Sequence, residues 1–191
     1  MNYLNLSNFG TNWKSWLIAF LWGLFEGLFF FIIPDIYLSF IALFSFRGGI
    51  VCLGFTLLGS LVSATIIFSL SPFVGDFFHK ILLIIPGVSD SMINTVSIGL
   101  QNHGVRSLVE GPLSGIPYKI YSVEAAIQHL PFFQYILWSI PARLERMLPV
   151  TILTFILGYF FRKNIEKNVK FWVAGFIILW IFIYIKYFLS L

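Results

Sequence analysis

In residues 16–35, WLIAFLWGLFEGLFFFIIPD, an apolar run over 16–33 contains one charge, Glu26, and Pro34-Asp35 follows it directly. A carboxylate at bilayer depth is disfavoured by roughly 2.5–3.5 kcal/mol or more. A chain that keeps such a group supplies it with a partner, a proton or a wet cavity. We expect it to face three basic side chains from later in the sequence: Lys119, Arg143 and Arg146.

The composition predicts an integral membrane protein. Of the 191 residues, 59% are hydrophobic and 10% are charged, and the mean hydropathy is +0.91. A soluble domain has about 25% charged residues. The length fits one domain, with four to six membrane elements at about 20 residues per span. Nucleic-acid binding is disfavoured, because no basic face is free of apolar flanks.

A basic cluster between two apolar runs predicts the orientation. Under the positive-inside rule it marks a cytoplasmic loop, and it could also hold anionic lipid headgroups. The Phe-, Ile-, Asn- and Lys-rich composition suggests an AT-rich microbial genome, and we expect the protein in the cytoplasmic (inner) membrane of a microbe. The cluster comprises Arg162, Lys163, Lys167 and Lys170.

No metal or cofactor is expected. The single cysteine, Cys52, excludes an intrachain disulfide and a zinc site built from several cysteines. The three histidines lack metal-ligand spacing, and no phosphate-binding glycine loop or nucleophile motif is present. The histidines are His79, His103 and His129.

Prolines and glycines divide the apolar runs unevenly. Pro34 removes a backbone donor and disfavours helix at Ile33, and the apolar run that follows is too short to span a bilayer. We therefore predict an all-α polytopic membrane protein with two re-entrant, proline-broken hairpins among spanning helices. The predicted order is a first hairpin over about 16–46, a spanning helix over 50–71, an interfacial or amphipathic segment over 77–101, a second hairpin over about 103–130, a kinked spanning helix over 131–161, the basic loop 162–170 and a last spanning helix over 171–191.

The second hairpin is the most irregular stretch, and its charges are candidates for the same site. Each half has a broken apolar hairpin followed by a spanning helix, as in transporters built from inverted repeats. No residue-by-residue identity links the halves, so the repeat is a hypothesis. The predicted breaks include Gly111, Pro112, Gly115 and Pro117, and the predicted supporting charges are Arg106, Glu110 and Glu124.

Glu26 and Asp35 are the candidate proton-linked acids. Nine residues apart, they would lie on opposite sides of one continuous helix, but the break at Pro34 lets both face one cavity. Burial raises carboxylate pKa values, which suits a proton carrier near neutral pH. The alternative is structural: Glu26 pairs with an arginine and Asp35 caps the second half-helix.

The basic candidates suit an anion. Lys119 follows a Gly/Pro break, where exposed amides and a helix N-terminus favour negative charge. Arg143 and Arg146 are three residues apart and share a helical face, which suits either a phosphate or a pair of carboxylates. Snorkelling for Lys119 and structural ion pairing for the two arginines remain alternatives.

These motifs together resemble the DedA family, also called the VTT or SNARE-associated membrane family. Glu26 followed by Pro34-Asp35 is similar to its first motif, an acidic residue ahead of a proline and a second acid. Residues 115–121, GIPYKIY, resemble its second motif, in the form found in the YqaA-like branch. The resemblance covers roughly residues 20–160, with Lys119 where many members have arginine.

The resemblance implies two facing re-entrant hairpins and the transport of a lipid phosphate, such as polyprenyl phosphate or phospholipid, between leaflets with proton coupling. By this analogy Glu26 and Asp35 carry protons, and Lys119 with Arg143 or Arg146 holds the phosphate. Its partners would be anionic membrane lipids and protons. Two other functions stay open: an enzyme acting on lipid phosphates, and a scaffold or assembly factor that transports nothing.

Overall fold

The computed structural model describes residues 3–111 and 114–189 and, for residues 71–74 and 76, the backbone alone. The described part is all-helical, with 86% of its residues in helices and no strand. A 3₁₀ helix, Gly104–Val109, joins the fifth and sixth α-helices. The α-helices are α1 (Tyr3–Gly10), α2 (Trp13–Leu28), α3 (Asp35–Phe44), α4 (Phe46–Ile84), α5 (Asp90–His103), α6 (Tyr118–Ile127), α7 (Phe132–Phe160), α8 (Arg162–Lys167) and α9 (Val169–Leu189).

The first predicted break is present. Helix α2 starts behind an Asn12 cap and ends at Leu28, and α3 begins one residue after Pro34. The chain then returns to the end at which α2 began, because Gly48, just after α3, packs against the backbone of Gly10. We call residues 29–34 the first break.

Helices α2 and α4 run side by side in the same direction. Ser15 contacts Cys52, with 3.4 Å between oxygen and sulfur. Further along, Gly23 lies against the backbone of Thr56, and Gly27 against Ser63. A methyl group at either glycine would overlap its neighbour. Small side chains therefore set the close approach of these two helices, as in many membrane helix pairs.

The second break lies between the 3₁₀ helix and α6. Its backbone turns at Gly115, which has a φ of +78°, a left-handed conformation that glycine adopts without strain. Pro117 then precedes the first turn of α6, an arrangement that its fixed φ favours. We call residues 110–117 the second break; the predicted break residue Pro112 lies outside the described residues. Helix α6 is buried along nearly its whole length.

Several boundaries differ from those predicted. Helix α4 does not stop near residue 71 but runs on to Ile84, so the segment predicted to start at 77 begins inside it. The turn at Pro86-Gly87 then leads into α5. Helix α7 continues through Pro141 and Pro149. The basic loop contains the short helix α8, in which Arg162 pairs with Glu166 at 2.9 Å.

Among the residues that the structure describes, two helices are long and apolar enough to cross a membrane. They are Phe46–Leu70, the first 25 residues of α4, and Val169–Leu189, which is α9. In an apolar stretch of 18 residues within each helix, no residue of α9 is buried inside the protein, whereas 44% of the residues of α4 are. The main core forms instead around α6, where α4, α5 and α7 meet it, with Tyr135 and Ile67 fully covered.

Candidate functional site

Glu26 is buried and bound by two cations. Its residue is 2% exposed. One carboxylate oxygen accepts a hydrogen bond from the Arg143 guanidinium at 2.5 Å, and the other lies 3.9 Å from the Lys119 ammonium. Helix α2 supplies the acid, while α7 and α6 supply the bases. Of the three basic side chains that we expected Glu26 to face, Lys119 and Arg143 contact it, whereas Arg146 contacts Asp35.

Arg143 is held on three sides. The nitrogen that binds Glu26 also donates to the Ser60 hydroxyl of α4 at 2.9 Å. Its guanidinium lies 4.8 Å from the ring centre of Tyr118, a cation–π distance. The Tyr118 hydroxyl in turn donates to Ser139 at 2.8 Å. Such a fixed guanidinium orients Glu26 and leaves it little freedom.

Asp35 and Arg146 form the second buried pair. A guanidinium nitrogen lies 3.0 Å from an oxygen of Asp35, a charge contact whose angle does not fit a hydrogen bond. The Asp35 side chain is 1% exposed and both its oxygens lack a hydrogen-bond donor; the Arg146 side chain is 24% exposed. Asp35 makes no side-chain capping bond to α3, so the capping alternative is not realised. The two arginines thus serve two carboxylates, one each.

Side chains from three other elements satisfy the backbone of the first break. The Lys119 ammonium donates to the carbonyl of Phe30 at 3.0 Å. The Trp22 indole donates to the carbonyl of Ile32 at 3.0 Å. The N–H of Ile33 donates to the hydroxyl of Tyr184 on α9 at 2.8 Å. Non-helical backbone within apolar surroundings requires such partners, and Lys119 ties the two halves together here.

A cavity of about 210 Å³ lies where the two breaks and α9 meet. Glu26, Lys119 and Arg146 supply its charge, and both breaks contribute to its wall. Asp35 does not line it and reaches it only through Arg146. The remaining wall is largely apolar and aromatic, and includes Phe31, Ile33, Ile85, Pro86, Gly115, Pro117, Ile183, Tyr184, Tyr187 and Phe188.

The charges around this cavity do not cancel. We define the charge cluster as Glu26, Asp35, Lys119, Arg143 and Arg146, which is three cations against two anions. A positive excess beside a cavity with apolar walls favours an anionic group attached to apolar matter. Because each cation already has an anionic partner, a ligand must compete with Glu26 or Asp35 for its contacts.

The predicted supporting charges are not brought into this cluster. Arg106 is exposed and lies 5.9 Å from the ring centre of Trp138. Glu110 is exposed, 3.7 Å from His103. Glu124 is buried on another side of α6, 3.8 Å from His79. Within the described residues, no group of three or more His, Cys, Asp or Glu side chains could hold a metal.

Four residues that contact the charge cluster or the first break were not predicted to belong to the site: Ser60, Tyr118, Trp22 and Tyr184. Ser60 was recognisable only as a small residue suited to helix packing. Trp22 and Tyr184 stand in apolar runs where an aromatic residue carries no signal of its own. Their roles depend on which backbone groups the first break leaves without partners.

Compared with known proteins, the chain matches no family model, and no curated protein and no solved structure is similar to it.

Proposed function

We propose that this chain is a membrane lipid transporter or scramblase of DedA type, which moves a lipid phosphate between leaflets with proton coupling. One observation carries the proposal: a buried acid, bound by two cations, borders a cavity between two helix breaks. The resemblance of the chain to the DedA family, through Glu26, Pro34-Asp35 and residues 115–121, also supports the proposal. The proposal includes re-entrant hairpins and several membrane spans beyond the two candidate helices.

The charge excess supports a phosphate as the transported headgroup. A lipid phosphate entering the cavity meets Lys119 and Arg146, which line it. Lys119 is the weaker-held partner of Glu26, at 3.9 Å against 2.5 Å for Arg143. Phosphate therefore displaces Glu26 from Lys119 most readily, and Arg143 keeps the acid in place.

A proton on Glu26 or Asp35 completes the cycle. Protonation removes the negative charge that competes with phosphate, so the cations bind the headgroup more strongly. Loss of the proton restores the internal ion pairs and releases the lipid. Because Lys119 also holds the carbonyl of Phe30 in the first break, its change of partner alters the backbone between the two half-helices, and with it the side that is open.

A vesicle assay tests this proposal. The protein is reconstituted with a trace of fluorescent lipid phosphate, and a quencher that cannot cross the bilayer reports how fast the label changes leaflet. Glu26→Ala and Lys119→Ala should slow the movement, while Lys163→Ala, which removes an exposed charge on α8, should not. Equal rates for all four proteins would reject the proposal.

The tight pairing of Glu26 supports one second candidate, a scaffold in which the cluster only stabilises the fold. In that case the Glu26 and Lys119 variants unfold more easily, and no lipid movement above that of empty vesicles is seen for any of the proteins. Thermal melts in detergent beside the vesicle assay separate the two functions. No observation favours a lipid-phosphate enzyme.

A further inference from the structure

An apolar groove of about 570 Å³ runs along α9 beside the first break and the start of α3. Ile36 lines it from α3, and Trp180, Ile181 and Ile185 line it from α9. Every side chain along it is apolar or aromatic, and Tyr184 supplies its one hydroxyl on the α9 side. Since Ile181 and Ile185 are about half exposed, the groove is open on one side.

The groove and the charged cavity are adjacent and share part of their walls. Phe31, Tyr184 and Phe188 line both of them. Phe31 and Phe188 contact each other, with ring centres 6.5 Å apart, and the Tyr184 hydroxyl is bound to the N–H of Ile33. The cationic cavity and the wholly apolar groove therefore lie side by side, with three aromatic rings common to both walls.

We propose that this groove binds the hydrocarbon chain of the same anionic lipid whose headgroup enters the cavity. The inference rests on the proposed function and adds a subsite to it. A cation excess at one end and apolar walls at the other match an amphiphile with a single anionic head and a chain. A helix from a second copy would cover the groove but would bring no anion to the cavity.

Two consequences follow for substrate choice. Affinity should rise about fourfold with each added methylene until the groove is filled, because each one buries more apolar surface. A free phosphate or a short alkyl phosphate should bind weakly, since it uses the cavity alone. An uncharged alcohol with the same chain should also bind weakly, since it uses the groove alone.

Photolabelling in neutral detergent micelles tests the inference. The probe is dodecyl phosphate with a diazirine at mid-chain, and the labelled peptides are mapped by mass spectrometry. We expect labelling in residues 176–189 and 31–36 that excess dodecyl phosphate suppresses and excess dodecanol does not. Ile181→Trp fills the groove and should reduce labelling about fifteenfold, the loss expected for about two displaced methylenes. Ile178→Trp, on an exposed face of α9 outside the groove, is the matched control.

The outcomes separate this inference from the proposed function. Equal labelling of the Ile181→Trp and Ile178→Trp proteins, together with weaker labelling of Lys119→Met, would overturn the groove and leave the headgroup site. Groove labelling that is insensitive to Lys119→Met and equally suppressed by dodecanol would overturn both. A dimer whose α9 groove is protected from the probe would assign the groove to a second copy and overturn the inference.

Discussion

Glu26 belongs to a pair that is costly to break on one side only. Replacing it by glutamine keeps the shape of the side chain but leaves Arg143 and Lys119 buried without a carboxylate. Removing one partner of a buried ion pair costs about 3–5 kcal/mol. We expect Glu26→Gln to lower the unfolding free energy by that amount, measured by titration of micelles with denaturing detergent.

A second substitution checks the cause. In the double variant Glu26→Gln/Arg143→Met the cation most tightly bound to Glu26 is gone as well, so part of the lost stability should return. The single variant Arg143→Met is measured as well. If the loss of unfolding free energy in the double variant equals the sum of the losses in the two single variants, Glu26 and Arg143 are not coupled, and the stabilising role assigned to Arg143 is wrong.

Asp35 should tolerate neutralisation better than Glu26. Its partner Arg146 has a side chain that is 24% exposed, whereas that of Arg143 is 3% exposed. After Asp35→Asn, the guanidinium of Arg146 can turn into the cavity and be hydrated. We expect a smaller loss than for Glu26→Gln in the same detergent titration. A larger loss would mean that Asp35 also holds α3 in place.

At the scale of single residues, the sequence predicted some of the charge contacts and few of the hydrogen-bond partners. A lone acid in an apolar run needs a cation, and Lys119 and Arg143 do contact Glu26, whereas Arg146, which was expected there too, contacts Asp35. The predicted supporting charges Arg106, Glu110 and Glu124 lie outside the charge cluster. Ser60 and Tyr184 are chosen by geometry. The Ser60 hydroxyl lies 2.9 Å from the Arg143 guanidinium, and the Tyr184 hydroxyl lies 2.8 Å from the backbone N–H of Ile33. Neither contact can be predicted from the residues next to Ser60 or Tyr184 in the sequence.

At the scale of elements, the contact between α2 and α4 depends on particular glycines. A methyl group at Gly59 would overlap the carbonyl of Phe20, while one at Gly54 would have nothing within 4 Å. Overpacking costs typically about 1–3 kcal/mol, whereas glycine to alanine in an open helix position gains about 0.5–1 kcal/mol. We expect Gly59→Ala to lower the thermal midpoint in detergent and Gly54→Ala to leave it unchanged or raise it. The reverse order would contradict the parallel packing of these helices.

Tyr184 joins α9 to the first break through one hydrogen bond, and its removal should loosen that contact. Tyr184→Phe leaves the partly buried N–H of Ile33 without its acceptor, a loss of about 0.5–1.5 kcal/mol for one hydrogen bond. Hydrogen exchange followed by mass spectrometry should show faster exchange over residues 29–34. Tyr159→Phe, which alters a largely exposed ring on α7, should not change the exchange there.

Helix boundaries could be predicted from the sequence where a proline lies close to a charged residue. Pro34 and Pro117 each mark an actual helix boundary. The same reasoning ended α4 too early at Pro72, because the helix continues to Ile84. One proline removes one hydrogen bond, whereas unwinding in apolar surroundings exposes several backbone groups without partners. The helix therefore persists unless other side chains can satisfy the backbone, as they do in the first break.

Across the whole molecule, residues from α1, α3, α8 and α9 meet at one end. Tyr3 of α1, Leu43 and Phe44 of α3, Ile165 of α8 and Val169 of α9 form a single buried cluster. Near the other end, the hydroxyl of Tyr187 donates to the carbonyl of Gly87, beyond α4. The basic residues of α8 therefore share one end of the molecule with the start of α2 and the end of α3.

From this arrangement we predict which ends of the helices lie on the same side of a membrane, and labelling from each side tests whether the protein spans one. In a Cys52→Ser background, single cysteines at Asn12, Arg47 and Asn164 should react with an impermeant maleimide from one side, the cytoplasmic one under the positive-inside rule. A cysteine at Ser91 should react only from the other side, since it follows Gly87, where α9 ends. All four positions are exposed, so failure to react reports the bilayer and not burial. Labelling of Asn12 and Arg47 from opposite sides would mean that α2 and α3 together cross the membrane, and the re-entrant hairpin would have to be abandoned.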